Sequence, residues 1–232
     1  MELLESGSCS GSATFDSGSV CNLACVTCGS DASTRWQREL GMPIVPGNSK
    51  YIDPEILQRA RKMTGVVICG GEPMLNFSSQ TMLENLNSDQ NVRVHFNGTV
   101  LPKTEFMEQS SRFKYIKYCF SIDGVGKRFE YLRWPAQWSR VVKNIQWLWQ
   151  NAPDNVEFAV SITRSQLNQH YLEEITDWIH TNIASNRHGR ETIVNYNQAG
   201  DTLLSQTYLD ALDQKRNLNW RELFPLAIND IQ

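Results

Sequence analysis

The sequence predicts an α/β protein, a partial (β/α)6 barrel built on an open parallel sheet. Three observations predict it. Six short runs rich in β-branched and aromatic residues alternate with helical patterns, the signature of parallel strands joined by helical crossovers. Six such units fall short of the eight that close a full barrel of about 250 residues. The residues with chemical potential lie just beyond the ends of the runs, where parallel sheets carry their sites.

The strands are expected at Ala13–Phe15, Val66–Cys69, Val92–Phe96, Tyr115–Ile122, Val156–Ile162 and Thr192–Tyr196. Between them, Asp53-Pro54-Glu55 reads as an N-cap followed by proline in the first helical turn, opening a helix that runs to about Met63. Shorter helices are expected at Ser79–Leu86 and Pro102–Ser110. Trp138, Val141, Val142, Ile145, Leu148 and Trp149 recur at helical spacing, as do Tyr171, Leu172, Ile175, Trp178, Ile179 and Ile183. Leu204, Tyr208 and Leu212 suggest a last helix. The reading divides the chain into a core over 1–200 and a helical extension over 201–232 packed on it.

Composition narrows the class. The 232 residues carry 22 basic and 25 acidic side chains, a net charge of −3, which argues against disorder and against binding nucleic acid mainly by charge. No apolar stretch approaches the ~18–20 residues of a membrane span. The opening residues Met1–Ser8 lack the basic and apolar regions of a signal peptide, so a cytoplasmic location is expected.

Three of the six cysteines, Cys21, Cys25 and Cys28, crowd into one short stretch after the first strand, while Cys9, Cys69 and Cys119 are scattered. Crowding of this kind in a reducing compartment reads as metal binding. Tetrahedral zinc normally takes four protein ligands, and His95, His170, His180 and His188 are all distant in sequence. A four-iron cluster held by three thiolates leaves one iron open to an outside ligand. Three structural cysteines, or zinc completed by a distant residue, remain the alternative, and with it a non-catalytic zinc-binding module.

The Cys-x3-Cys-x2-Cys spacing resembles the cluster loop of the radical S-adenosylmethionine (SAM) superfamily. The second strand runs into Gly70-Gly71-Glu72-Pro73, similar to that superfamily's Gly-Gly-Glu-Pro segment, and the fourth ends in Ser121-Ile-Asp123-Gly124, which resembles the Ser-Leu-Asp-Gly of its peptide-modifying members and sulfatase-maturing relatives. Ser33, Thr34 and Trp36, with the tail from Leu212 to Pro225, resemble the twitch-domain radical SAM proteins. The resemblance implies a TIM-like partial barrel and a [4Fe-4S] cluster on the three cysteines. It also implies SAM bound by Gly70, Gly71, Glu72 and Pro73, with Asn97, Ser121, Asp123, Arg133 and Ser161 completing its contacts. In that scheme Glu72 takes the SAM amino group and Arg133 its carboxylate. The implied activity is hydrogen abstraction from a peptide or protein, or alternatively from a small metabolite or nucleotide precursor, with electrons from an external flavodoxin- or ferredoxin-type donor. Thr27 departs from the pattern, standing where many members carry an aromatic residue beside adenine. No later Cys cluster is present to hold an auxiliary centre.

Strand alternation supplies candidates for the substrate pocket. Lys117 and Cys119 share a face with Ser121, Arg93 and His95 with Asn97, and Glu157 with Ser161. His95, Lys117, Asn195 and Asn197 are the residues expected to meet substrate, with Lys117 and His95 deepest. The alternative for each is a satisfied polar group of the core or sheet edge.

Overall fold

The computed structural model describes residues 2–5, 11–44, 50–183, 193–198 and 204–231. Cys9, His188, Thr192 and the 200/201 boundary between the two expected units lie outside them, as does the side chain of Asn197.

The sheet has strands β1 (Glu2–Glu5), β2 (Ser12–Asp16), β3 (Gly65–Cys69), β4 (Asn91–Phe96), β5 (Tyr115–Ser121), β6 (Val156–Arg164) and β7 (Ile193–Gln198). They lie side by side in chain order. The six from β2 to β7 are parallel throughout, as the alternation predicts. The antiparallel β1, paired from Glu2 opposite Asp16, was not expected; Glu-Leu-Leu-Glu carries no β-branched residue to signal it.

Helices α1 (Thr34–Glu39), α2 (Pro54–Lys62), α3 (Phe77–Asn85), α4 (Thr104–Ser111), α5 (Gly126–Leu132), α6 (Trp138–Asn151), α7 (Leu172–Asn182), α8 (Gln206–Arg216) and α9 (Trp220–Leu223) fill the connections and the tail. The Asp53 cap forms as expected, accepting from the Glu55 amide at 2.8 Å. Helices α1 and α5 escape the periodicity search because six or seven residues are too few turns to show a stripe.

Side-chain alternation divides the sheet into two unlike faces. Val92, Val94 and Phe96 on β4, Ile116, Tyr118 and Phe120 on β5, and Phe158 and Val160 on β6 are buried against the helices. Aromatic rings dominate this layer: Phe120 stacks on Phe158 at 5.6 Å, and Trp149 of α6 stacks on Phe158 at 5.1 Å. The other face is concave and polar. Its rows follow the strand register, Val67–Arg93–Lys117–Glu157 below, His95–Cys119–Ala159 above, and Ser121–Ser161–Asn195 nearest the strand ends. Cys119 is buried within this face and Cys69 only partly, so of the two only Cys119 is fully a core residue.

A second, smaller core joins the tail to the loop after β2. Ala24, Val26 and Trp36 pack there with Tyr131, Leu132, Leu209, Trp220 and Phe224.

Candidate functional site

The loop between β2 and α1 carries all three crowded cysteines, and three separate parts of the chain hold it. From α1, the Ser33 hydroxyl donates to the Leu23 carbonyl while accepting from the amides of Arg35 and Trp36, so one side chain both caps the helix and fixes the loop. The Thr34 hydroxyl exchanges hydrogen bonds with the Cys21 backbone, and the Trp36 indole donates to the Cys25 carbonyl at 2.9 Å. From the segment after α5, the carbonyls of Leu132 and Trp134 accept from Val26 and Ala24 at 2.8 and 2.6 Å. From α8, the Arg216 guanidinium donates to the Ala24 carbonyl at 2.8 Å, its group lying over the rings of Trp36 and Trp134. Thus the Ser-Thr-x-Trp and tail motifs, far apart in sequence, converge on one loop.

Cys21, Cys25 and Cys28 line a cavity of about 230 Å³ together with Gly70, Gly71, His95, Asn97, Ser121 and Arg133. Burial pushes the thiols up, Cys21 to about 11 and Cys25 and Cys28 in the same direction, so in the metal-free chain all three hold their protons. Among the described residues, no three His, Cys, Asp or Glu side chains gather closely enough to share a single metal ion. Three thiols spread around one cavity suit a multinuclear centre, in which each sulfur takes its own iron, better than one tetrahedral ion.

The glycines after β3 work through close approach. A Cβ on Gly71 would lie 2.6 Å from the Val20 carbonyl oxygen, and Gly70 holds φ at 122° with the Gly18 carbonyl oxygen 2.9 Å from where its Cβ would be. Their backbones therefore press the cysteine loop against the strand end, with the Gly71 amide donating to Gly18 at 2.7 Å.

Glu72 is placed differently from the expectation that it receives an amino group. Its carboxylate is fully buried and points behind the cavity wall, accepting from the Met74 amide at 3.0 Å and the Asn97 amide at 2.7 Å. It ties the end of β3 to the end of β4. Pro73 opens a short 3₁₀ turn and borders a groove on the helical face, outside the cysteine cavity.

Asn97 also serves the scaffold. Its amide nitrogen donates to Asn22 of the cysteine loop, and its oxygen accepts from the Thr99 amide and hydroxyl. Asn22 in turn donates to the Thr99 hydroxyl at 2.8 Å. The Asn22–Thr99 contact spans 77 positions with no motif to announce it, so the sequence reading missed it.

Asp123 and Arg133 form a buried ion pair at 2.7 Å. Asp123 accepts from the Thr163 amide on its other oxygen, so each of its oxygens is anchored within the protein. Burial pushes the Asp123 carboxyl up against the opposing pull of the guanidinium, whereas for Arg133 the effect of burial is outweighed by the Asp123 carboxylate, which keeps it charged. The Arg133 Nε is buried with no hydrogen-bond partner, on a side chain that lines the cysteine cavity. A buried donor left unsatisfied is costly unless a ligand completes it.

The remaining predicted residues share the concave face. Ser121 lines the cavity and Ser161 is buried beside it in register. His95 lines the cavity too, and burial, reinforced by Arg93, pulls it down to about 4, so it is neutral at physiological pH. Tyr196 is exposed and meets Thr176 of α7 at 2.9 Å, which turns its neighbour Asn195 to the concave side. The buried Asn195 Nδ2 has no partner. Lys117 lies two rows below Ser121, paired with Glu157 at 3.1 Å, and lines a different cavity at the opposite end of the strands.

No protein-family model matches the chain, and no curated protein matches it. Solved structures do resemble it. SuiB of Streptococcus suis, bound to S-adenosylmethionine, aligns with 89% of this chain and 45% of its own at 17% identity and a TM-score of 0.50. The protein anSMEcpe with bound AdoMet aligns with 83% of this chain and 53% of its own at 14% identity and a TM-score of 0.58. TYW1, with a lysine-pyruvate adduct bound, aligns with 88% of this chain and 73% of its own at 12% identity and a TM-score of 0.55. SuiB has also been solved with its precursor peptide SuiA, and anSMEcpe with a Cp18Cys peptide. The chain spans about half the length of SuiB and anSMEcpe. At these identities the likeness is one of fold: the six parallel strands and their helices match the corresponding part of these structures.

Proposed function

We propose that this chain is a radical SAM enzyme. The observation that carries the reading is the meeting, in one cavity, of three thiols from a single loop with the Gly70-Gly71 backbone and a buried arginine donor that has no partner. Cys21, Cys25 and Cys28 would hold a [4Fe-4S] cluster, which would supply one-electron reductive chemistry to SAM for hydrogen abstraction from substrate, with an external flavodoxin- or ferredoxin-type donor as the electron source.

The chain's own residues supply placement. Cys21, Cys25 and Cys28 are the iron ligands, and each must lose its proton on metal binding. Gly70 and Gly71 offer backbone at close range to the amino end of SAM, with Glu72 fixing the wall behind them. Arg133, held charged by Asp123 and lining the cavity, would hold the SAM carboxylate by a charge-assisted contact. Ser121 and Ser161 border the nucleoside side, and Thr27 lines the cavity without an aromatic plane for adenine. The neutral His95 and the unpartnered amide of Asn195 would face the substrate. The substrate we favour is a peptide or protein, with a small metabolite or nucleotide precursor as the alternative. Exclusion of water belongs to the protein and the radical chemistry to the cofactors.

The test is anaerobic reconstitution with iron and sulfide, followed by metal analysis and a SAM-cleavage assay. About four irons per chain are expected, lost on Cys21→Ala, Cys25→Ala or Cys28→Ala but kept when Cys69 and Cys119 are replaced. Zinc retained in place of iron, with no SAM cleavage, would establish the binding-module alternative.

A further inference from the structure

The floor of the concave face carries a charge that nothing among the described residues balances. One row above the strand starts, Arg93 on β4 stands directly beside Lys117 on β5, and Lys117 stands beside Glu157 on β6. The single carboxylate is engaged by Lys117 at 3.1 Å. The Arg93 guanidinium has no ion-pair or hydrogen-bond partner among the described residues. Like charges in directly opposed positions on a sheet destabilise it, so the fold carries a cost at this row without a structural return.

Space is available where the charge lies. Arg93 and Lys117 line a cavity of about 400 Å³ with Ser12, Asn91 and Tyr115, and Gly65 keeps it open because a Cβ there would come within 3.2 Å of Ser12 Oγ and the Asn91 carbonyl oxygen. Among the described residues no carboxylate lines it. Arg93 is also two residues from His95, which lines the cysteine cavity, so one strand joins the two ends of the face.

We propose that Arg93, supported by Lys117, binds an anionic group of the substrate, a carboxylate or a phosphate, at the floor of the barrel. The proposal rests on the radical SAM reading and adds to it the substrate's charge and reach. Four strand residues separate Arg93 from Asn97 at the cofactor end, about 13 Å of rise. The substrate therefore places its anion roughly that far below the reacting carbon, with His95 contacting the part between and Asn195 the part level with the cofactor end. An extended peptide would meet the site through an acidic side chain or terminal carboxylate, and a small metabolite through its phosphate or acid.

The test is calorimetric titration of the reconstituted full chain with inorganic phosphate and, separately, succinate. One of the two should bind saturably at one site per chain, at least tenfold more weakly in Arg93→Gln and with partial recovery in Arg93→Lys. Preference for phosphate assigns a phosphoryl group, and preference for succinate assigns a carboxylate. Arg93→Gln should melt no lower than the parent protein, since it removes a like-charge neighbour. No saturable binding of either anion, undiminished binding in Arg93→Gln, or a large fall in its melting temperature would each overturn the proposal. Failure of the underlying reading shows separately, as absence of cluster iron and of SAM cleavage in the unsubstituted protein.

Discussion

Glu72 illustrates how far a motif determines a residue's place. Its position after two glycines was legible in the sequence, but its orientation was not, because the amide that claims it belongs to Asn97, 25 positions on. Burial pushes the carboxyl up to about 7, against the lowering effect of the Asn97 and Met74 amides. The folded chain thus holds the Glu72 proton more tightly than the unfolded chain, whose ordinary value is 4.5. Stability from this residue is greatest below pH 4.5 and falls as pH rises to about 7, by about 3 kcal/mol over the window. In the metal-free protein, Glu72→Gln should abolish that decline, so the variant compares worse with the parent at pH 4.5 than at pH 7.5. Denaturant titrations at the two pH values check this, and equal differences at both would contradict it. The three cysteines and the two glycines, by contrast, act through spacing and backbone, which a sequence displays directly.

The element that governs the site is the loop held by α1 and α8. Sequence periodicity found neither the shortness of α1 nor its dual role, although Ser33, Thr34 and Trp36 stood out as a motif. Ser33→Ala removes the cap and the Leu23 contact together, and should cost about 1–2 kcal/mol in a urea titration. Arg216→Gln should be the more telling change. It breaks a charge-assisted bond to the Ala24 carbonyl worth roughly 1.5–3 kcal/mol. Loss of iron to a chelator should be faster in this variant than in the parent, although Arg216 contacts no cysteine side chain. Identical release rates would mean that the loop is held adequately by α1 alone.

At the scale of the molecule, the alternation of the strands made the order of the sheet legible, and the same alternation separates stability from function. The face packed on the helices is aromatic and dry; the concave face is polar and half-open. Phe120→Ala, within the stacked rings of the first face, should cost about 3–5 kcal/mol. Cys119→Ala, one residue earlier and on the second face, should cost clearly less in the same measurement, because it removes only a single small atom. Similar costs would mean that the concave face is packed as tightly as the outer one. The antiparallel β1 and the convergence of tail and loop were not legible, since both depend on contacts between segments without a shared pattern.

The bond from Arg216 to Ala24 joins positions 192 residues apart, and this sets an order of events during synthesis. At about 5–20 residues per second, the cysteine loop leaves the ribosome roughly 10–40 s before the arginine that completes its restraint. Throughout that interval the three thiols belong to a nascent chain whose second core has no α8 or α9. Completion of the cavity is thereby deferred until Arg216 has emerged, and a ribosome stalled before Arg216 displays a cysteine loop that α8 has not yet secured.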